Sequence, residues 1–130
     1  MKQPDALNMV AGFHRTFKHP ILEAPAIPPE NRCKLRVALI AEELKELEVA
    51  ILEKDIVEVA DALWDIQYVL AGAILEFGLG GKFKALFEEV QRSNMSKAWN
   101  SEEEARRTVE HYLKKDGTEC FYEKEGDKWL

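Results

Sequence analysis

From Ile56 to about Leu79 almost every position is apolar, and this run does most to restrict how the chain can fold. Ile56, Val59, Leu63, Ile66, Leu70 and Ile74 recur at helical steps. Val57, Ala62, Trp64, Val69, Ala71 and Leu75 carry the apolar surface onto both flanks. A helix apolar nearly all round is a buried helix and needs neighbours on most sides. Glu58, Asp61 and Asp65 interrupt it on one narrow face, with Tyr68 and Gly72 further along. Upstream, Val37, Ile40, Leu44, Leu47 and Ile51 form a second stripe at about 100° per residue, with Glu42, Glu43 and Glu46 on its flank and back.

A turn near Lys54-Asp55 joins the two segments, so they are expected to lie antiparallel. Residues equidistant from the turn then sit side by side. Glu46 is eight positions before Lys54 and Asp61 seven after it, while Glu43 and Asp65 are each eleven away. The carboxylates should gather at one level, partly buried. Like charges raise each other's pKa, and desolvation adds to the effect, so such a cluster calls for cations. Hard divalent ions suit oxygen ligands, and Mg²⁺ suits a site where phosphates share its coordination sphere.

These residues also carry a resemblance. EExxE at Glu42, Glu43 and Glu46, followed by ExxD at Glu58 and Asp61, resembles the metal motif of the MazG-type all-α nucleoside triphosphate pyrophosphohydrolases. That superfamily includes the dimeric dUTPases and phosphoribosyl-ATP pyrophosphohydrolase. SNMSK at Ser93 to Lys97 resembles a phosphate-holding segment of one MazG-like branch, and Phe13-His14 resembles an FH pair on the helix that borders the nucleotide. The likeness runs from about Phe13 to Trp99.

The resemblance implies hydrolysis of a nucleoside triphosphate to the monophosphate and pyrophosphate, for example to clear the nucleotide pool of unwanted members. It implies Mg²⁺, with Mn²⁺ as a substitute, held by Glu43, Glu46, Glu58 and Asp61. Glu42, Glu43 and Glu46 become the catalytic candidates. Asn94, Lys97, Asp65, Tyr68 and His14 become the substrate contacts. A homodimer or homotetramer is expected, since the third helix has more apolar surface than one small chain can cover.

The other segments are placed around this core. Asp5 to about Lys18 reads as a first helix with Asp5 at its N-cap. His19 to Pro29 holds four prolines and cannot be helical. Ile21, Leu22 and Ile27 suggest that it packs down, either as a roof over the substrate or as a connector across the bundle end. Pro29 opens the long second helix, with Arg32 and Arg36 upstream of the glutamates. Arg36 is read as one half of a surface or interface salt bridge, with contact to phosphate as the alternative. Gly78, Gly80 and Gly81 stop the third helix. A fourth is expected from about Lys82 to Arg92, with Phe83, Leu86, Phe87 and Val90 inward. Ser101 and Glu104 form a capping box for a last helix to about Lys115. TECFYEKEGDKWL alternates around a turn and reads as a small β-hairpin. This tail departs from the Gly-Lys-rich ending of family members.

The expected whole is all-α: a four- to five-helix bundle of MazG-like type with a small C-terminal β-hairpin. It is taken as one domain over 1–130, with a helical core at about 5–97 and the C-terminal helix and hairpin at about 101–130. The net charge of −6 and the lack of a basic run disfavour a nucleic-acid polymer as partner. Cys33 and Cys120 lack metal or framework spacing, which suits a reducing cytoplasm. No run approaches the roughly 18 apolar residues of a membrane span. A ferritin-like di-iron site needs Glu-x-x-His pairs, and none of His14, His19 or His111 has a glutamate three residues before it. The competing function is a non-catalytic helical interaction module that keeps the fold.

Overall fold

The chain is described by a computed structural model covering residues 1–97, 102–117, 124–125 and 128–129. Among the described residues five helices follow in order: α1 (Ala6–Phe17), α2 (Glu30–Leu52), α3 (Ile56–Glu76), α4 (Phe83–Met95) and α5 (Glu102–Asp116). The protein is an all-α bundle. It divides into two compact units, Met1–Phe83 and Lys84–Leu130. Among the described residues, no helix is long and apolar enough to cross a membrane.

In the first unit α3 packs on both α2 and α1. The turn before α3 is set by local chemistry. Lys54 takes a left-handed conformation at φ 56°, and the Asp55 side chain accepts from the backbone N–H groups of Val57 and Glu58. This satisfies two of the donors that a helix start leaves unpaired. Asp5 stands at the N-cap of α1 but does not cap it. Its carboxylate takes the Asn8 side-chain amide instead.

The apolar core lies where α1 crosses the C-terminal half of α3: Val10 and Ala11 against Ala71 and Leu75, with Ala6, Leu7 and Ile21 at its edge. The 19–29 segment is strapped to the end of α3. Leu22 N–H donates to Leu75 O at 3.1 Å, and Ala26 N–H to Phe77 O at 3.1 Å. These bonds satisfy carbonyls that the helix end would leave open. Gly78 makes the close approach possible. It sits at φ +71°, and a Cβ there would fall 2.0 Å from Ala24 O. Ile21 packs against the core as expected, whereas the side chains of Leu22 and Ile27 are exposed.

Two expectations about the helix faces need correction. The inward face of α2 is Arg36, Ile40, Glu43, Leu47 and Ala50, a stripe of its own at steps of four and three. Val37, Leu44 and Ile51 instead point outward, at 69%, 58% and 57% exposure. Nor is α3 buried along its whole length. Its C-terminal part, with Ala71, Gly72, Ile74, Leu75 and Glu76, is buried, but Ile56, Val57, Leu63, Trp64 and Leu70 are exposed. The reason is shared. Acidic and arginine side chains share the seam between α2 and α3 with Ile40, Leu47 and Ala50, so part of each apolar stripe turns to the outside.

The second unit holds α4 and α5. Helix α4 runs on through Met95, so Ser93, Asn94 and Met95 form its last turn and are not a following loop. Leu86, Phe87 and Val90, expected inward, are exposed. In α5, Ala105 is fully buried. Ser101 of the expected capping box lies outside the described residues. So do 118–123, 126–127 and 130 of the expected hairpin. Two antiparallel rungs are described, Lys124 opposite Trp129 and Glu125 opposite Lys128. They do not support a hairpin over the whole segment.

Candidate functional site

The antiparallel pair α2–α3 brings together the acids that sequence order separates. Oxygens of Glu43, Glu46 and Asp65 all lie within 4.8 Å of one another. Glu42, Glu46, Glu58 and Asp61 line an adjoining groove of about 680 Å³, with Lys45, Val49, Ala50 and Glu53 along its length. Glu43 and Asp65 are half-buried between the helices, and Glu46 is exposed at the rim. The tightest trio therefore contains Asp65, which the sequence reading placed among substrate contacts. Glu58 and Asp61, placed among the ligands, stand on the groove wall. Asp61 is still coupled to the trio through a hydrogen bond to Asp65.

The electrostatics are those of carboxylates crowded together and partly withdrawn from water. Burial pushes Glu43 up to about 7, aided by a hydrogen bond and charge from Glu46 and by the charges of Asp65 and Glu42. Burial likewise raises Asp65, helped by the charges of Asp61 and Glu46. One atom tests whether the residues fit a metal. Glu43 Oε2 is buried and has no hydrogen-bond partner among the described residues. An orphaned buried carboxylate oxygen is costly. A divalent ion against it would satisfy that oxygen and offset the clustered charge at once. The donor set is all carboxylate, which favours Mg²⁺, Mn²⁺ or Ca²⁺ over softer metals.

Further along the same helices is a second cavity, about 240 Å³, lined by Val10, Phe13, His14, His19, Leu35, Arg36, Leu39, Tyr68, Val69 and Gly72. Its walls are aromatic. The Phe13 ring stacks on His19 at 5.8 Å and meets Tyr68 edge-on at 5.8 Å. His14 is 2% exposed, more deeply buried than a histidine next to Phe13 on an amphipathic helix suggests. Its Nδ1 is 3.0 Å from Pro20 O, and its Nε2 is 3.5 Å from Arg36 Nη2. Burial, with smaller effects from the Arg36 and His19 charges, lowers its pKa despite the bond to Pro20.

Arg36 is not a surface ion pair. Its Nε donates to Glu76 Oε2, and Arg32 donates to the same carboxylate through Nε and, at 3.1 Å, through Nη2. Glu76 is 1% exposed. Burial alone would raise its pKa, but the bonds and charges of the two arginines prevail and hold it below the usual carboxylate range. Sequence reasoning missed Glu76. The available signal was a lone carboxylate at the end of a buried run, opposite two arginines one turn apart.

Asn94 and Lys97 belong to the second unit. Both are exposed, and Lys97 Nζ donates to Asn94 Oδ1 at 3.1 Å.

With this geometry in place, relatives can be compared. Residues 10–94 match the family model described as phosphoribosyl-ATP pyrophosphohydrolase. The match takes in most of α1, all of α2 and α3 with the acid cluster, and α4 as far as Asn94. The chain belongs to the phosphoribosyl-ATP pyrophosphohydrolase family. This is a MazG-like family of the all-α superfamily. The family match stops short of Lys97 and leaves out α5 and the tail. An uncharacterized protein of Acanthamoeba polyphaga mimivirus is 37% identical over 92 residues, which cover 68% of this chain. The chain spans 37% of that relative's length.

Proposed function

We propose that this chain is a Mg²⁺-dependent nucleotide pyrophosphohydrolase that converts a nucleoside triphosphate and water to the monophosphate and pyrophosphate. The observation that carries this reading is the trio Glu43, Glu46 and Asp65 around the orphaned Glu43 Oε2, taken with family membership. Those three would hold the ion, with Glu58 and Asp61 on the groove wall completing an oxygen-rich site. When bound, the ion supplies Lewis acidity and charge neutralisation for the phosphate oxygens.

The remaining steps fall to the chain's own residues. Glu42 lines the groove outside the trio and is free to accept a proton from the attacking water. Glu43 and Glu46 orient that water for in-line attack at the α-phosphorus. Tyr68 and His14 wall the aromatic cavity, which begins about one helical turn from the trio, since Leu39 and Tyr68 lie four and three residues from Glu43 and Asp65. That distance suits the nucleoside end of a nucleotide whose phosphates sit at the acids. From the resemblance of Ser93 to Lys97 alone, Asn94 and Lys97 are proposed as phosphate-binding residues.

The exposed apolar faces of α2 and α3 support a homodimer or homotetramer. The same faces keep a second reading in view, an assembly module without turnover. Pyrophosphate release from a panel of ribo- and deoxyribonucleoside triphosphates separates the two. The enzyme reading expects Mg²⁺-dependent release that falls by more than about a hundredfold in Glu46→Ala and Asp65→Ala, with helical content unchanged. Undiminished turnover in both folded variants would refute the site.

A further inference from the structure

The inference here rests on the nucleotide reading above and concerns a residue that no ligand in the cavity would touch. Glu76 is buried and spends both carboxylate oxygens on Arg32 and Arg36. Arg36 is itself buried and lines the aromatic cavity. Its guanidinium has room there because residue 72 has no side chain. A Cβ at Gly72 would lie 2.6 Å from Arg36 Nη1 and 3.2 Å from His14 Nε2.

The hydrogen-bond inventory then dictates the state of His14. The Pro20 carbonyl can only accept, so His14 Nδ1 carries the proton. A guanidinium can only donate, so Nε2 is the bare nitrogen facing Arg36 Nη2. His19 Nδ1 and Nε2, the Tyr68 hydroxyl and Arg32 are the other titratable or charged groups around this seam. None of them replaces Glu76 as the anion that fixes Arg36.

We propose that Glu76 is a positioning residue for nucleotide binding: it seats Arg36 in the slot left by Gly72, and Arg36 in turn holds the ring plane of His14, whose bare Nε2 faces it, in the cavity wall. The wall is thus preorganised from behind. Three variants address it from different sides. Glu76→Gln keeps the shape and removes the charge. Gly72→Ala fills the slot and leaves Glu76 intact. Arg36→Lys keeps the charge and loses the fork of donors.

The test measures KM and kcat for Mg²⁺–nucleoside triphosphates, Mg²⁺ affinity by calorimetry, and the ¹⁵N resonances of His14. The expected result is KM raised about tenfold, with kcat and Mg²⁺ affinity held within about twofold and a displaced Nε2 resonance. An unchanged KM in folded variants overturns the proposal. So does a parallel fall of kcat, Mg²⁺ affinity and melting temperature, which marks a mere brace, and so does failure of all three variants to fold. If the wild type hydrolyses no nucleotide, the pyrophosphohydrolase reading fails by itself, and the resonances decide the positioning. A His14 Nε2 signal unmoved in Glu76→Gln and Gly72→Ala overturns it, and a displaced signal upholds it.

Discussion

At the scale of single residues, half-buried Glu43 and buried Glu76 are shifted in opposite directions, and that difference is measurable. Glu43 is held up to about 7, above its value in an unfolded chain. The folded protein therefore keeps a proton that the unfolded chain releases, and stability falls as pH rises from about 4.5 through 7. A divalent ion removes this penalty. Thermal melts are expected to show that Mg²⁺ raises the melting temperature strongly at pH 8 and weakly at pH 5. At a hundredfold excess over its dissociation constant the ion contributes about 2.7 kcal/mol. Glu43→Gln should flatten the pH slope and abolish the metal response. Glu76 behaves in the reverse sense. Its pKa is lowered, so its stabilisation is full at neutral pH and is lost as acid protonates it. Glu76→Ala strands the Arg36 guanidinium in the interior and is expected to cost about 3–5 kcal/mol in denaturant unfolding.

At the scale of elements, the ends of α3 rest on unlike devices. The start is a side-chain cap, and Asp55→Ala should cost about 1 kcal/mol. The end depends on a neighbouring segment, because Leu22 and Ala26 supply the donors and Gly78 lets the two backbones meet. Gly78→Ala adds a methyl where Ala24 O already stands, in a left-handed conformation that alanine tolerates poorly. Undocking of the 19–29 segment is the expected outcome. Amide exchange at Leu22 and Ala26 would rise by at least about tenfold, while the Val57 and Glu58 amides at the other end keep their protection.

At the scale of the whole molecule, the apolar surface left on α2 and α3 is the dominant fact. Val37, Leu44, Ile56, Leu63 and Trp64 are all exposed, and a chain of net charge −6 does not leave such a face to water without consequence. Sedimentation should show an assembly of two or four chains. The pair Leu44→Glu and Leu63→Glu should shift it to monomer, each burying a charge that an apolar interface cannot pair. A wild-type monomer at micromolar concentration would remove the support that this face lends to assembly.

The all-α class, the helix pair and the meeting of carboxylates from both helices at one level were legible in sequence, because helical period and one short turn fix which residues stand level; that Asp65 joins Glu43 and Glu46 in the tightest trio was not. The turn at Lys54-Asp55 and the glycines as stops were legible for the same local reason. The inward face of α2 was not. Periodicity finds an apolar stripe but not its direction, and here the Arg36–Glu76 pair, 40 residues apart in the chain, rotates the helix so that Val37, Leu44 and Ile51 face outward while Ile40 and Leu47 stay inward. The burial of His14 was equally hidden, since it depends on a loop carbonyl, an arginine and a missing side chain at Gly72, brought together by three separate segments. Sequence determined the elements and the level at which the acids meet. Tertiary packing alone decided which faces meet and which carboxylate oxygen is left without a partner, because both depend on contacts between residues that local chemistry cannot relate.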